Sequence, residues 1–413
     1  MSHLNDEAAE FDPTDITENS LLKKSRIAFF SPEEDFSTNP SLSCIIETLL
    51  SLGAEVDVFM ETSRKCSPFE YDVRINPFPV RFRKWYGGVK KSLGNWERFV
   101  RGRKSHRMLR SEKYDLVFGV NAEGVVAAFD YHKKWKVPFV YLSYEIFFKN
   151  ELYEKARLRL KREEIEASQF ADLTIVQDPR RGYLLFQENN VSKKRMFWLP
   201  VSPKMEGVDG KSDYLRKIYH IPNEKRIVLH SGSFEKWTYA EELLQSAQNW
   251  SDNVVLVIHC KQKGGKRRRN IRKILNKDKR SNIIFSTTPL ERNVYEQMVS
   301  SADIGLCLYK EVVGDPFLQK NIRHIGLSSG KFAYYTKYGL PVISVLSKTY
   351  KRLAKNYNFG EDITQFSQLP GAMHRIMADY DNYSRESKSL FREKLAFDLY
   401  CAPLIEKIST IHG

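Results

Sequence analysis

Short apolar runs alternate along this chain with longer amphipathic stretches. In the first half the runs fall at residues 26–30, 56–59, 116–120, 139–142, 173–176 and 196–199, and stretches with helical spacing lie between them at 41–52, 124–135, 151–170 and 181–188. Residues 203–225 lose the pattern, punctuated by Pro203, Gly207, Gly210 and Pro222, and read as an interdomain linker. The alternation restarts at 227–230, 254–258, 283–285, 304–308 and 341–344, with helical segments at 239–249, 291–301 and 331–337. Strands regularly separated by helices predict parallel sheets. The expected architecture is therefore α/β: two doubly wound, Rossmann-like domains, 25–202 and 226–390, facing across a cleft at the carboxyl ends of their strands. From residue 366 onward the pattern is helical, and the amphipathic segment 391–410 is expected to join the N-terminal domain.

Composition adds limits. The 413 residues suit two domains of roughly 200 each. Residues 1–24 hold Asp6, Glu7, Glu10, Asp12, Asp15 and Glu18 and read as an acidic, flexible tail. An acidic N-terminus and the lack of any run of about 18 apolar residues predict a cytoplasmic chain without a membrane span. Five scattered cysteines without a CxxC argue against a disulfide framework or a zinc site. The net charge of +15 is concentrated at residues 81–110 and 261–280, which implies an anionic partner or, for the second block, a solvated face.

The chemistry concentrates at residues 325–343. There a small-residue loop opens a short helix that stops at Gly339 and hands over to a strand. Ser328 and Ser329 are placed to cap the helix, and the amides of Ser329, Gly330 and Lys331 face outward beside the Lys331 ammonium. Free amides at a helix start and a nearby cation make a phosphate site. Each charge-assisted hydrogen bond there is worth about 1.5–3 kcal/mol. A Walker A loop is a poor match, because only three residues separate Gly326 from Gly330-Lys331 and Phe332 follows.

The run Ser328-Ser329-Gly330-Lys331-Phe332 through Tyr338-Gly339-Leu340-Pro341-Val342-Ile343 resembles the nucleotide-sugar motif of bacterial GT-B glycosyltransferases. Gly53-Ala54-Glu55-Val56-Asp57-Val58-Phe59 is similar to the opening of that family's N-terminal domain, and His230 to Lys236 to the loop after the first strand of its second domain. The resemblance implies a nucleoside diphosphate sugar as donor substrate, with no cofactor and no metal. It implies that Gly232, Ser233, Lys236 and Ser328 to Lys331 hold the diphosphate, while Pro289 and Leu290 border the base. One position departs: Tyr334 stands where many relatives carry a donor-binding glutamate, and Gly326 stands in the place of the other. Arg323 and His324, ahead of the loop, are candidates to offset charge on the leaving diphosphate. His230 and His259 end strands and lack ligand spacing.

On the acceptor side, Glu145 follows a strand's carboxyl end, where a general base or a carboxylate paired with a neighbouring cation would sit. Asn39 and Asn121 occupy equivalent loops, as hydroxyl-recognising groups or as helix caps. Asp379-Tyr380-Asp381 has the form of a D-x-D metal signature but falls in a helical run and reads as a solvated surface. Trp85, Val89, Leu93, Trp96 and Phe99 share a helical arc opposite Lys90, Lys91, Arg98 and Arg101. This stripe predicts either an anionic membrane surface as partner, over residues 85–110, or packing on the N-terminal sheet.

The sequence thus predicts a glycosyltransferase that moves a sugar to an acceptor hydroxyl of a lipid-linked or surface-polysaccharide glycan, peripheral on the cytoplasmic face of the inner membrane. A GT-B sugar-nucleotide epimerase is the alternative of the same class. A basic nucleic-acid-binding protein is the alternative of another class, though no nucleic-acid motif supports it.

Overall fold

The computed structural model describes residues 21–31, 38–60, 73–77, 109, 111–207, 210–260, 282–315, 317–345 and 347–412. The chain forms two compact units: Met1–Leu199 with Asp398–Gly413, and Pro200–Phe397. The aromatic stripe at 85–101 and the basic block at 261–280 lie outside the described residues.

Unit 1 is built on seven parallel strands: β1 (Arg26–Phe30), β2 (Glu55–Met60), β3 (Arg74–Pro77), β4 (Leu116–Val120), β5 (Phe139–Leu142), β6 (Leu173–Val176) and β7 (Met196–Trp198). Their order is β3-β2-β1-β4-β5-β6-β7. The central strands are buried nearly end to end, which is why they read as continuous apolar runs rather than alternating ones. Among the described residues, four helices cross between them: α1 (Pro40–Ser51), α2 (Asn121–Trp135), α3 (Lys155–Phe170) and α4 (Pro179–Asn189). The polar edge strand β3, four residues long, was not legible as an apolar run.

A buried polar network ties α3 and α4 to the sheet. Lys161 Nζ donates to Glu164 at 3.1 Å and to Asn189 at 2.6 Å, and Asn189 donates to Glu164 at 2.9 Å. The Tyr141 hydroxyl completes it at 2.7 Å from the same carboxylate. Each charge is partnered, the condition under which a buried ion pair is tolerated.

Unit 2 has six parallel strands: β8 (Arg226–Ser231), β9 (Val254–His259), β10 (Ile283–Ser286), β11 (Ile304–Cys307), β12 (Val342–Val345) and β13 (Gly360–Ile363). Their order is β10-β9-β8-β11-β12-β13. Helices α5 (Tyr214–Tyr219), α6 (Ala240–Ala247), α7 (Arg292–Ser300), α8 (Lys320–Arg323), α9 (Gly330–Lys337), α10 (Lys348–Leu353), α11 (Leu369–Ala378) and α12 (Tyr380–Leu390) connect or flank them.

Three expectations about organisation change. Residues 203–225 are part of unit 2 rather than a linker: Leu215 of α5 and Ile221 are buried in its core, and Arg216 reaches the fully buried Asp303, which also accepts the Ile227 amide at 2.7 Å. A six-residue helix is too short to show periodicity. The returning segment starts at Asp398, because Phe391 and Leu395 sit in a π turn inside the core of unit 2. From there α13 (Asp398–His412) packs in unit 1, where His412 meets Ser25 Oγ at 2.7 Å. The expected tail ends sooner than residue 24, since Leu22 is fully buried.

Candidate functional site

In unit 2 the strand order reverses between β8 and β11, so the loops leaving their carboxyl ends part and leave a crevice. The first wall is the turn after β8. Gly232 takes φ +98°, a left-handed conformation that lets the chain swing away from the sheet. The second wall is α9. Its Tyr335 hydroxyl accepts the Ser231 amide at 2.9 Å, donates to Leu229 O at 3.3 Å, and lies 3.0 Å from Ser231 Oγ. The Tyr335 ring passes directly over Gly305 of β11, where a Cβ would stand 2.3 Å from it. A glycine in the strand is thus what lets this helix settle onto the sheet.

This anchoring fixes Lys331 in the first turn of α9. Its Nζ is buried without a hydrogen-bond partner, although the residue as a whole is partly exposed. The ammonium lies 4.9 Å from the centre of the Tyr309 ring and 4.0 Å from where a Cβ of Gly232 would be. Burial pulls its pKa from the usual 10.5 down to about 8. The groups around it do not neutralise it. The Cys307 thiol is pushed up to about 12 by burial and stays protonated. His230 is held down to about 3, first by burial and then by Lys331, and stays neutral. Its Nε2 donates to Ser233 O at 2.9 Å, leaving Nδ1 without a partner.

Ser329 occupies the N-cap of α9, but its side chain does not cap the helix. Its Oγ turns instead to the Tyr309 hydroxyl at 2.5 Å. Ser328 lies in the preceding turn (Gly326–Ser328), its amide bonded to Ile325 O at 2.8 Å. The capping expected of both serines is therefore corrected. The amides of Gly330 and Lys331, in the first turn, have no carbonyl within the helix to accept them. Tyr309 is steadied by Trp237, stacked at 5.9 Å and 14°. Neither aromatic was singled out from the sequence; Tyr309 follows a strand's carboxyl end, the same signal that marked Glu145.

The remaining candidates divide. Lys236 is exposed on the loop that carries Gly232 and Ser233. Pro289 is exposed beyond β10, and Leu290 packs partly against the core. Arg323 is a correction: Glu311 grips its guanidinium at 2.5 and 2.6 Å, so its charge is already matched. Tyr334 is another: it is buried in the core, edge-on to Tyr295 at 5.1 Å. Where the related motif has a carboxylate, this chain has packed phenols.

In unit 1, Asn121 is the buried first residue of α2, with φ +55°. Its Oδ1 accepts the amides of both Tyr144 and Glu145 at 2.9 Å. Asn39 caps α1, accepting the Leu42 amide at 3.2 Å. The side-chain oxygens of both asparagines thus shape backbone, which corrects their reading as groups for hydroxyl recognition. Glu145 is half-buried at the end of β5, and its charge helps offset the burial of Arg181. That guanidinium is fully buried and donates to Gln177 at 2.8 Å and to Tyr144 O at 2.6 Å. Asp379 and Asp381 fall in the helical run expected of them, Asp379 between α11 and α12 as the N-cap and Asp381 in the first turn of α12.

Two parallel α/β sheets of seven and six strands, each with its switch point, are the architecture of the GT-B glycosyltransferases, and the chain has that fold. A sucrose-phosphate synthase from Thermosynechococcus elongatus is similar, with a TM-score of 0.68 and 14% identity, over 94% of this chain and 99% of its own. So is Anabaena HepE, solved in complex with UDP-glucose, with a TM-score of 0.69 and 12% identity, over 94% and 100%. An α,α-trehalose 6-phosphate synthase from Burkholderia multivorans gives a TM-score of 0.61 and 12% identity, over 94% and 99%. The sequence matches no protein-family model and no curated protein.

Proposed function

We propose that the chain is a glycosyltransferase that takes a sugar from a nucleoside diphosphate donor and passes it to an acceptor hydroxyl. One observation carries the reading: the buried, unpartnered Lys331 ammonium at the switch point of unit 2. A buried charge without a counterion is costly, and an anion at that point relieves the cost. The open amides of Gly330 and Lys331 and the exposed Lys236 supply further donors for a diphosphate. As the glycosidic bond breaks, negative charge builds on the departing diphosphate, and preorganised donors stabilise it there. Pro289 and Leu290 border the base in this reading, and Glu145 accepts the proton of the attacking hydroxyl. Similar folds solved with UDP-glucose and with UDP-2-fluoro glucose support a sugar nucleotide as donor.

The acceptor we favour is a lipid-linked or surface-polysaccharide glycan, met at the cytoplasmic face of an anionic membrane. The concentrated positive charge supports this. Among the described residues no helix is long and apolar enough to cross a membrane. The test is calorimetric titration with UDP, GDP, ADP and TDP, followed by a transfer assay with the sugar form of the one that binds. Saturable binding that Lys331→Ala weakens, and turnover that Glu145→Gln lowers about 10²–10⁴-fold, are expected. If none of the four binds, the reading is wrong.

A further inference from the structure

Unit 2 carries a second basic hollow, at the opposite end of its sheet from Lys331. Ser300 and Ala302 line it just ahead of β11, and Lys337 and Tyr338 line it at the end of α9. Its volume is about 260 Å³, and it shares Ser384, Lys388 and Arg392 with an adjoining hollow of about 300 Å³ over α12.

Three of the five cations in the lining are matched. Lys337 pairs with Glu296 at 3.0 Å, and Lys211 with the buried Asp303. Arg385 lies 3.8 Å from Glu386 and donates to Asn382 at 2.5 Å. Lys388 and Arg392 have no ion pair among the described residues, and the only carboxylate in the described lining is Asp381.

Ser384, Lys388 and Arg392 follow one another at intervals of four, so they share one face of the helix and the turn that continues it. Ser389 adds a second hydroxyl to the rim. The Lys388 stem lies flat over Gly339, where a Cβ would stand 2.6 Å from Cε. The stem thus rests against the Gly339 backbone, which reduces the freedom the side chain loses when a ligand binds. Cations near a helix C-terminus also suit its dipole. That accounts for their sign, but not for a hollow lined with hydroxyls beside two unmatched charges.

We propose that this hollow binds a phosphate group at a site separate from Lys331. Lys388 and Arg392 engage the phosphate oxygens, and Ser384 and Ser389 donate from the rim. The phosphate is carried either by a free small molecule or by a phospholipid headgroup.

The test uses the full chain carrying Lys331→Met, which removes the first anion site, with and without Lys388→Gln and Arg392→Gln. Inorganic pyrophosphate is titrated by calorimetry, and vesicles of phosphatidylglycerol in phosphatidylcholine are co-sedimented against phosphatidylcholine alone. Saturable pyrophosphate binding that the double substitution weakens at least tenfold supports a free phosphate ligand. Pelleting with phosphatidylglycerol vesicles that the same pair abolishes supports a headgroup. Both substituted positions are exposed, so the fold is expected to survive, and thermal unfolding checks that it does. No binding in either arm, or binding indifferent to the pair, overturns the proposal.

Discussion

Lys331 holds its ammonium 4.9 Å from the centre of the Tyr309 ring and has no hydrogen-bond acceptor. The ring face offers a cation partial compensation for lost water, about 2 kcal/mol when desolvated. The depressed pKa shows that compensation is incomplete. Tyr309 is itself fixed, by Ser329 on one side and Trp237 on the other. The site is thus assembled in advance around one unmet charge, an arrangement suited to an anion that comes and goes.

Replacing that charge should separate stability from binding. Lys331→Met keeps the stem's bulk and removes a buried, unpartnered ammonium, so the free protein is expected to melt at the same temperature or higher. Nucleoside diphosphate affinity is expected to fall about 10–100-fold, corresponding to about 1.5–3 kcal/mol. Calorimetry beside thermal unfolding reads both. A variant that binds as well as the wild type would remove Lys331 from the site.

The anchoring of α9 makes a second forecast. Gly305→Ala puts a methyl group 2.3 Å from the Tyr335 ring, in a core with no spare volume. Overpacking of this kind costs about 1–3 kcal/mol. Moving Tyr335 also breaks its bonds to Ser231 and Leu229, so nucleotide binding should weaken although the residue touches no ligand. Urea unfolding and a binding titration check it. Wild-type values in both would mean that α9 does not depend on this contact.

Much of this was legible beforehand, and the failures have physical causes. Buried parallel strands such as Leu116–Val120 are apolar at each position, so their limits are visible in one sequence. Edge strands are polar on their open side, and Gly360–Ile363 with its Glu361 and Asp362 offers no such run. Lys331 was found because a small-residue loop before a helix has few uses. Arg323 and Tyr334 misled because their partners, Glu311 and Tyr295, lie 12 and 39 positions away, where spacing says nothing. The asparagines were ambiguous from the start, since the same side chain that can recognise a hydroxyl can also cap a helix.

Asn121 allows that ambiguity to be tested. Asn121→Ala leaves the buried amides of Tyr144 and Glu145 without their acceptor and places alanine at φ +55°. A loss of about 1–3 kcal/mol is expected from the first effect, with about 1–2 kcal/mol more from the second. Asn121→Asp keeps the accepting oxygen and should be milder. If Glu145 is the base, the alanine variant also loses turnover while donor affinity holds, because the carboxylate's loop is no longer fixed. Equal urea midpoints for wild type and alanine would refute the structural role.

The pH dependence of the free protein and of its complex should run in opposite directions. The Lys331 pKa is about 8 in the folded protein against an ordinary 10.5. Below about 8 the ammonium is charged in both folded and unfolded chains, and its full burial cost is present. Between about 8 and 10.5 the unfolded chain holds a proton that the folded one has released, so this group's contribution to stability rises with pH. Anion binding needs the charged form, so affinity should be flat below about pH 8 and then fall by up to tenfold per unit above it. The two slopes belong to one proton, and Lys331→Met should remove both. Binding titrations and urea midpoints between pH 7 and 9.5, on wild type and variant, measure them. An affinity that stays constant to pH 9.5 in the wild type, or declines equally in the variant, would show that the ammonium of Lys331 does not meet the diphosphate.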